Sequence, residues 1–447
     1  MKKLLFASLI ASTALVAPAV QAQDAEVVAL RAQIDALQAQ IAQMSARLDQ
    51  VEVEAAETQA AVVTNAAAVP VAAATAPTIT FSGAPEIEAD GGWSFKPIGR
   101  VQVDAGMLNL PEALGRNDGF GSEVRRARLG VEGEIPGGFG YKVEVEFAGG
   151  TTELYDALLS YKDDGLTITA GQHNNFQSME ELTSSRWSSF IERAAFTDAF
   201  GFERRLGVSA QYSSGPLLLQ GGVFSDNATA LPSENWGMDG RMVYAPRLGS
   251  TQLHLGGSIH FNNLATGGTV RYRQRPLVHF TAERPVATPT LAADSELGFG
   301  LEAALVSGQF HAAAETYWQN VNIPRSTVDP GYFGGFVEVG YFLTSGDKRG
   351  YRGGRWDRTR PANPVDEGGL GAWQINLRYD MLDLNDGALR GGTQDGFFAS
   401  LVWVPTDYTR LMLNYGRLYY DDAVLALPGN DRSWSADVLG LRGQIDF

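Results

Sequence analysis

The chain has no cysteine among its 447 residues, which excludes disulfide staples, thiolate catalysis, covalent haem attachment and cysteine metal sites. Histidine is scarce, and His173, His254, His260, His279 and His311 are dispersed without a HExxH or comparable spacing, so neither a metal nor a cofactor is expected. Basic residues are the minority, 35 Lys and Arg against 51 Asp and Glu, for a formal net charge of −16. Such a chain is a poor partner for nucleic acid or for an anionic bilayer surface. Beyond the N-terminus no apolar run is long enough for a membrane-spanning helix. Serines abound, yet no nucleophile motif surrounds them, and an enzyme is not expected.

The N-terminus is of another kind. MKKLLFASLIASTALVAPAVQAQ places Lys2 and Lys3 before an apolar run from Leu4 to about Val16 and small residues up to Ala22, the layout of a secretory signal peptide over residues 1–22. The mature protein then starts near Gln23, outside the cytoplasm. Val27, Leu30, Ile34, Leu37, Ile41, Met44, Leu48 and Val51 step in alternating threes and fours, which predicts a short α-helical coiled coil over residues 23–54 with a mild preference for two strands. An amphipathic helix lying on a membrane is the other reading, and its polar face lacks the basic residues that would suit it. Residues 55–92, rich in Ala, Pro and Thr and carrying Pro70 and Pro77, read as a linker.

From residue 93 to 447 the pattern has period two. In SEVRRARLGVEGE, residues 122–134, Ala127, Leu129 and Val131 alternate with Arg126, Arg128 and Glu132, as in a strand with two different solvents on its faces. Roughly sixteen such segments follow one another, and an even number of tilted strands is what a closed outer-membrane barrel requires. Closure matters because hydrocarbon cannot satisfy an open sheet edge. Short turns such as KDDG (162–165), SSGP (213–216), LVSGQ (305–309) and VPTD (404–407) follow every second strand, with longer segments usually between them. The fold class expected is therefore all-β, a 16-stranded antiparallel transmembrane β-barrel preceded by the coiled coil. Ala127, Leu129 and Val131 face lipid in it; Arg126 and Arg128 face a wet lumen.

The stretches EVRRARLGVEG, LYDALLSY, ELTSSRWSSFIERAAFTDAF, RRLGVSAQY, GAWQINLRYDMLDLND and TRLMLNYGRL, closed by the terminal Phe447, resemble the phosphate-selective porin O and P family of bacterial outer membranes over about residues 95–447. The resemblance implies a homotrimer, a third external loop folded inward, diffusion of small hydrophilic solutes, above all anions such as phosphate, and contact with outer-membrane lipid. It also implies insertion by the barrel assembly machinery, with Phe447 as its signal. By the same resemblance the constriction and anion site comprise Arg125, Arg126, Asp156, Ser184, Ser185 and Arg193, while Glu181 stands where phosphate-specific members carry a lysine. A carboxylate there opposes anion binding.

Read from the residues alone, Arg125, Arg126 and Arg128 are either a selectivity element or a solvated lumen stripe. Arg193, Arg204 and Arg205 either join them or pair with Glu180, Glu181, Glu192 or Glu203; Asp156 reads as a partner for a nearby arginine. The segment DKRGYRGGRWDRTRP, residues 347–361, carries Lys348, Arg349, Arg352, Arg355, Arg358 and Arg360. Strict strand alternation puts the connection around residues 344–370 at the end where other turns are tight. It is expected to fold into the lumen as a basic zone for anions, or else to stay a solvated loop paired with Asp347, Asp357, Asp366 and Glu367. The functional expectation is an outer-membrane porin with a periplasmic coiled coil; the alternative is a structural envelope protein that tethers the membrane through that coiled coil.

Overall fold

The computed structural model describes residues 76–447 except 117, 327 and 328, together with residues 39, 42, 43, 46, 47 and 50. Those six are helical and exposed; the rest of the coiled-coil reading, and the signal peptide, lie outside the described residues. Sixteen long strands form the body. They are β1 Trp93–Asn109, β2 Gly119–Ile135, β3 Phe139–Glu146, β4 Glu153–Asp163, β5 Leu166–Asn174, β6 Arg204–Ser214, β7 Leu217–Ser225 and β8 Trp236–Tyr244. The second half comprises β9 Thr251–Asn263, β10 Ser295–Ser307, β11 Phe310–Asn322, β12 Gly331–Phe342, β13 Ala372–Asp386, β14 Leu389–Thr406, β15 Thr409–Asp421 and β16 Trp434–Asp446.

Each strand pairs antiparallel with the next, and β16 returns to β1 through Asp437↔Asn109 to Asp446↔Arg100. The sheet is a closed antiparallel barrel of sixteen strands without a free edge. Alternation sorts the side chains as the sequence predicts: on β1, Val101, Val103 and Met107 are exposed on the outside while Arg100, Gln102 and Asp104 are buried inside.

The connections divide by length. At the end that holds residue 447, the turns 136–138, 164–165, 215–216, 245–250, 308–309 and 407–408 are tight, whereas 343–371 is long. At the opposite end the loops 175–203 and 264–294 are the longest, and 387–388 is a two-residue exception to the expected length difference. The linker reading to residue 92 is corrected in its last part. Thr78–Phe81 pairs with Pro85–Ala89, which in turn meets the start of β1 through Ala89↔Trp93. Gly83 makes this hairpin possible, since its φ is +81° and a Cβ there would lie 2.5 Å from the Tyr408 ring.

The barrel is not an empty tube. Phe190, Phe196, Phe200 and Phe202 from loop 175–203, with Leu277 and Val278 from loop 264–294, are buried in one cluster with Tyr317, Tyr332 and Phe336 of β11 and β12 and Phe398 of β14. Phe196 stacks on Tyr317 at 6.0 Å and Phe202 meets the same ring edge-on at 4.8 Å. These apolar loop segments fill the β11–β13 side, and open space remains along the polar wall of β1 to β7.

Candidate functional site

Two bulges build the polar wall. Gln102 pairs with Arg126 and Val103 with Val124, so Arg125 is an extra residue on β2. A strict alternation would place adjacent arginines on opposite faces; the bulge turns both inward. In β4 the same happens at Tyr155, because Glu144 pairs with Asp156 and Val145 with Leu154. Tyr155 then lies between two guanidinium groups, with Arg128 Cζ 3.1 Å and Arg204 Cζ 3.4 Å from the ring centroid. The ring face attracts both cations, each of which also holds a carboxylate, Arg128 that of Glu146 and Arg204 that of Asp156.

Opposite this wall stands loop 175–203. Its short helix α1, Met179–Leu182, is capped by Ser178, whose Oγ accepts from the Glu181 N–H at 3.1 Å. The second helix, α2 Ala195–Ala199, is anchored where Asp380 of β13 accepts from the Ala195 N–H at 3.0 Å. Further wall side chains pin the loop. Glu315 of β11 accepts from the Met179 and Glu180 N–H groups at 3.0 and 2.7 Å, Ser258 of β9 donates to the Gln177 carbonyl at 2.6 Å, and Asn414 of β15 accepts from the Ile191 N–H at 3.0 Å. Buried backbone groups of an in-folded loop need such partners, and here barrel side chains supply them.

Two cavities lie along the wall. The larger, about 580 Å³, reaches from Arg193, Arg204 and Tyr155 down to Lys96, Tyr408 and Phe447. Ten cations line it, namely Lys96, Arg100, Lys142, Arg186, Arg193, Arg204, Arg352, Arg355, Arg358 and Arg360, against five acids, Glu132, Asp156, Glu181, Asp357 and Asp407. In a chain of net charge −16 that is a local reversal of sign. The smaller cavity, about 210 Å³, lies towards the loop end and is lined by Arg125, Arg126, Glu192, Arg275 and His279 among others. Glu181 and Arg193 line both.

Most of the expected site residues come together here. Ser184 and Ser185 accept from Arg100 Nη1 at 3.2 and 3.3 Å, and each hydroxyl keeps a proton to donate. Asp156 accepts from Lys142 at 2.7 Å and from Arg204 at 2.6 Å, the role of a partner for basic side chains. Arg125 grips Glu192 at 2.8 and 3.1 Å. Burial pushes the Glu192 carboxyl up, but Arg125, Arg126 and Arg442 outweigh it and hold the group well below the usual carboxylate range. The Arg126 side chain donates to the Gln102 amide oxygen at 2.9 Å and, among the described residues, has no carboxylate within salt-bridge distance.

Arg193 is held in place by backbone: Nε donates to the Glu180 carbonyl at 3.0 Å, and Nη2 to those of Glu181 and Thr183 at 3.1 and 2.8 Å. Two expected residues lie elsewhere. Arg128 and Arg205 line neither cavity, because Arg128 donates to Glu146 at 2.5 Å under the Tyr155 ring and Arg205 donates to Asn262 at 2.8 Å. Arg100, Tyr155, Glu144, Arg186 and Trp187 belong to the site and escaped sequence reasoning; Arg100 donates to Glu144 at 2.7 Å, and Trp187 is flanked by Arg186 and Arg358 at 4.7 and 4.4 Å.

Segment 343–371 enters the barrel from the tight-turn end. Its hairpin, Gly350–Arg352 with Arg355–Asp357, buries Trp356 and presents Arg352, Arg355, Arg358 and Arg360 to the large cavity. Arg349 is buried and donates to the Trp187 carbonyl, whereas Lys348 is exposed and lines neither cavity. Of the acids expected to pair with the segment, Asp357 meets Arg352 at 2.9 Å; Arg358 and Arg360 instead find Asp446 and Asp407 on the barrel. The Arg355 side chain forms no salt bridge or hydrogen bond among the described residues.

The barrel resembles the anion-selective porin of Comamonas acidovorans, with a TM-score of 0.52, 12% identity and coverage of 79% of this chain and 100% of that one. It resembles OmpT of Vibrio cholerae equally, with a TM-score of 0.52, 13% identity and coverage of 80% and 99%. At such identities the likeness is one of fold. A curated relative from Caulobacter vibrioides, described as an uncharacterized protein, is 49% identical over 383 residues, 83% of this chain and 77% of its own. The family described as phosphate-selective porin O and P matches residues 95–447. With that match over the whole closed barrel, the chain belongs to the phosphate-selective porin O and P family of outer-membrane porins.

Proposed function

We propose that this porin passes small anions by passive diffusion, phosphate among them. The observation that carries the reading is the two-to-one excess of cations over acids along the 580 Å³ cavity in a chain that is acidic overall. A lumen of one sign concentrates the opposite ion and excludes its own. Arginine suits the task because its planar donors match carboxylate and phosphate oxygens, and Ser184 and Ser185 offer hydroxyl protons beside them. Arg125, Arg126, Arg193 and Arg204 set the field around the narrow zone, and the arginines of residues 347–361 extend it towards the periplasm. Arg128 and Arg205 act through that field from behind the wall. In this reading residues 1–22 are removed on export, residues 23–54 form a periplasmic coiled coil, three copies assemble in outer-membrane lipid, and Phe447 guides the barrel assembly machinery.

In planar bilayers under a potassium chloride gradient, the reversal potential is expected on the chloride side. A folded protein that inserts without conducting, or that prefers potassium, defeats the reading. Replacing Arg352, Arg355 and Arg358 by Gln is expected to move the reversal potential towards potassium and to lower chloride conductance at ~0.1 M salt, where screening over ~10 Å leaves lumen charge visible. Arg355→Gln alone is expected to move it in the same direction, since that side chain breaks no ion pair when replaced.

A further inference from the structure

Resting on the anion-channel reading, we infer that Glu181 is the residue that limits anion throughput: its carboxylate is a negative barrier at the junction of the two cavities, and its protonation opens the path to anions. Glu181 and Arg193 are the residues common to both cavity linings, so an ion moving between the cavities passes this pair. Glu181 Oε2 lies 3.2 Å from Arg193 Nη1. The pair itself is neutral, whereas the cavity on the periplasmic side is strongly cationic. The barrier is thus a local loss of the field that draws anions in.

Arg193 does not depend on Glu181 for its place, because its Nε and Nη2 are spent on the carbonyls of Glu180, Glu181 and Thr183. Removing the carboxylate charge therefore uncovers a fixed guanidinium rather than releasing a mobile one. The backbone beneath is equally independent, held by Ser178 at the Glu181 N–H and by Glu315 at the two residues before it.

The charged groups that bear on the Glu181 carboxyl are Arg193 and Glu180 on its own loop, Arg204 on β6 and Arg126 on β2. Burial raises its pKa above the ordinary carboxylate value, against the pull of Arg193, Arg204 and Arg126. A raised pKa means that the group takes up its proton on mild acidification, before exposed carboxylates do. Chloride conductance therefore increases as pH falls, and it does so through a change in charge, not in pore width.

The test uses the full chain in planar bilayers at ~0.1 M potassium chloride, titrated from pH 8 to pH 4, with wild type compared against Glu181→Gln. At pH 8 the Gln variant is expected to carry about threefold more chloride current, the size expected for one partly screened unit charge close to the path. Wild-type chloride current is expected to rise on acidification to the variant's value, while the variant stays flat. Glu181→Asp, which keeps the charge, is expected to keep the pH response, and Glu181→Ala is to repeat the Gln result if Gln perturbs the loop. A Gln variant equal to wild type at pH 8, or one that retains the full rise in acid, overturns the assignment. Wild-type reversal potential at pH 8 separates the two readings: chloride preference with an inert Glu181 sinks this inference alone, and potassium preference sinks the anion channel beneath it.

Discussion

Excising residues 348–361 and joining the ends with a short glycine-rich turn is expected to raise single-channel conductance about twofold or more and to weaken anion preference, because pore width and lining charge change together. The segment is a piece of the lumen and not a surface ornament. Trp356 is 2% exposed, and the hairpin tip reaches the far wall, where Arg241 donates to the Gly354 carbonyl at 2.7 Å. A Cβ on Gly354 would lie 2.8 Å from Leu218, and its φ of +72° independently favours glycine. The segment also meets the in-folded external loop, with the Trp356 N–H donating to Thr183 Oγ1 at 3.3 Å. The two connections thus narrow the lumen from opposite ends.

Geometry makes the excision practicable, since the Ala362 N–H donates to Asp347 at 2.6 Å and the cut ends are neighbours. Wall groups that lose a partner, Arg241 and His254 among them, face a lumen that water can enter, so the barrel is expected to keep its strand content by circular dichroism. Conductance and reversal potential equal to those of the intact chain would place the segment outside the conduction path.

That segment was legible in the sequence for a topological reason. With hairpin turns at one end after every second strand, parity alone assigns residues 344–370 to the tight-turn end, where a long basic connection needs somewhere to go. Alternation likewise located the lipid-facing residues, because hydrocarbon selects for apolar side chains at every second position. What alternation could not carry was its own interruption. A strict period of two, counted back from Val131, Leu129 and Ala127, puts Arg125 on the lipid face and Val124 in the lumen, and an arginine facing lipid near mid-membrane costs about 2–4 kcal/mol. The adjacent pair Arg125 and Arg126 in an otherwise regular strand was the available signal for a bulge, and Tyr155 next to Asp156 left a weaker one.

Arg128 and Arg205 mark another limit. Their inward direction follows from local sequence, but whether an inward side chain meets open space depends on where residues 175–203, 264–294 and 343–371 pack. Those loops have no periodicity to read. The contact between Glu181 and Arg193 belongs to the same class, as it is made within a loop held by side chains of strands distant in sequence.

The largest loss of stability is expected at the seam that closes the barrel. Arg442 on β16 and Asp104 on β1 are directly paired positions, and the guanidinium donates twice to the carboxylate, from Nε and Nη2, at 2.7 Å each. Both side chains are essentially shut off from solvent. Nη2 also donates to Glu192 at 3.2 Å, so the same arginine ties the in-folded loop to the seam. Replacing one member of a buried pair leaves the other charged and unpaired, which costs about 3–5 kcal/mol, more than the pair itself contributes. Arg442→Met is therefore expected to lower the stability of the barrel by that amount in urea unfolding followed by tryptophan fluorescence. Asp104→Asn combined with Arg442→Met is expected to recover part of the loss, because the stranded charge is gone. Arg352→Met, which removes an exposed partner of Asp357, is expected to cost less than about 1 kcal/mol. Equal costs for Arg442→Met and Arg352→Met would mean that lumen water reaches Asp104 and stabilises its charge, and the seam pair would then be no stronger than a surface one.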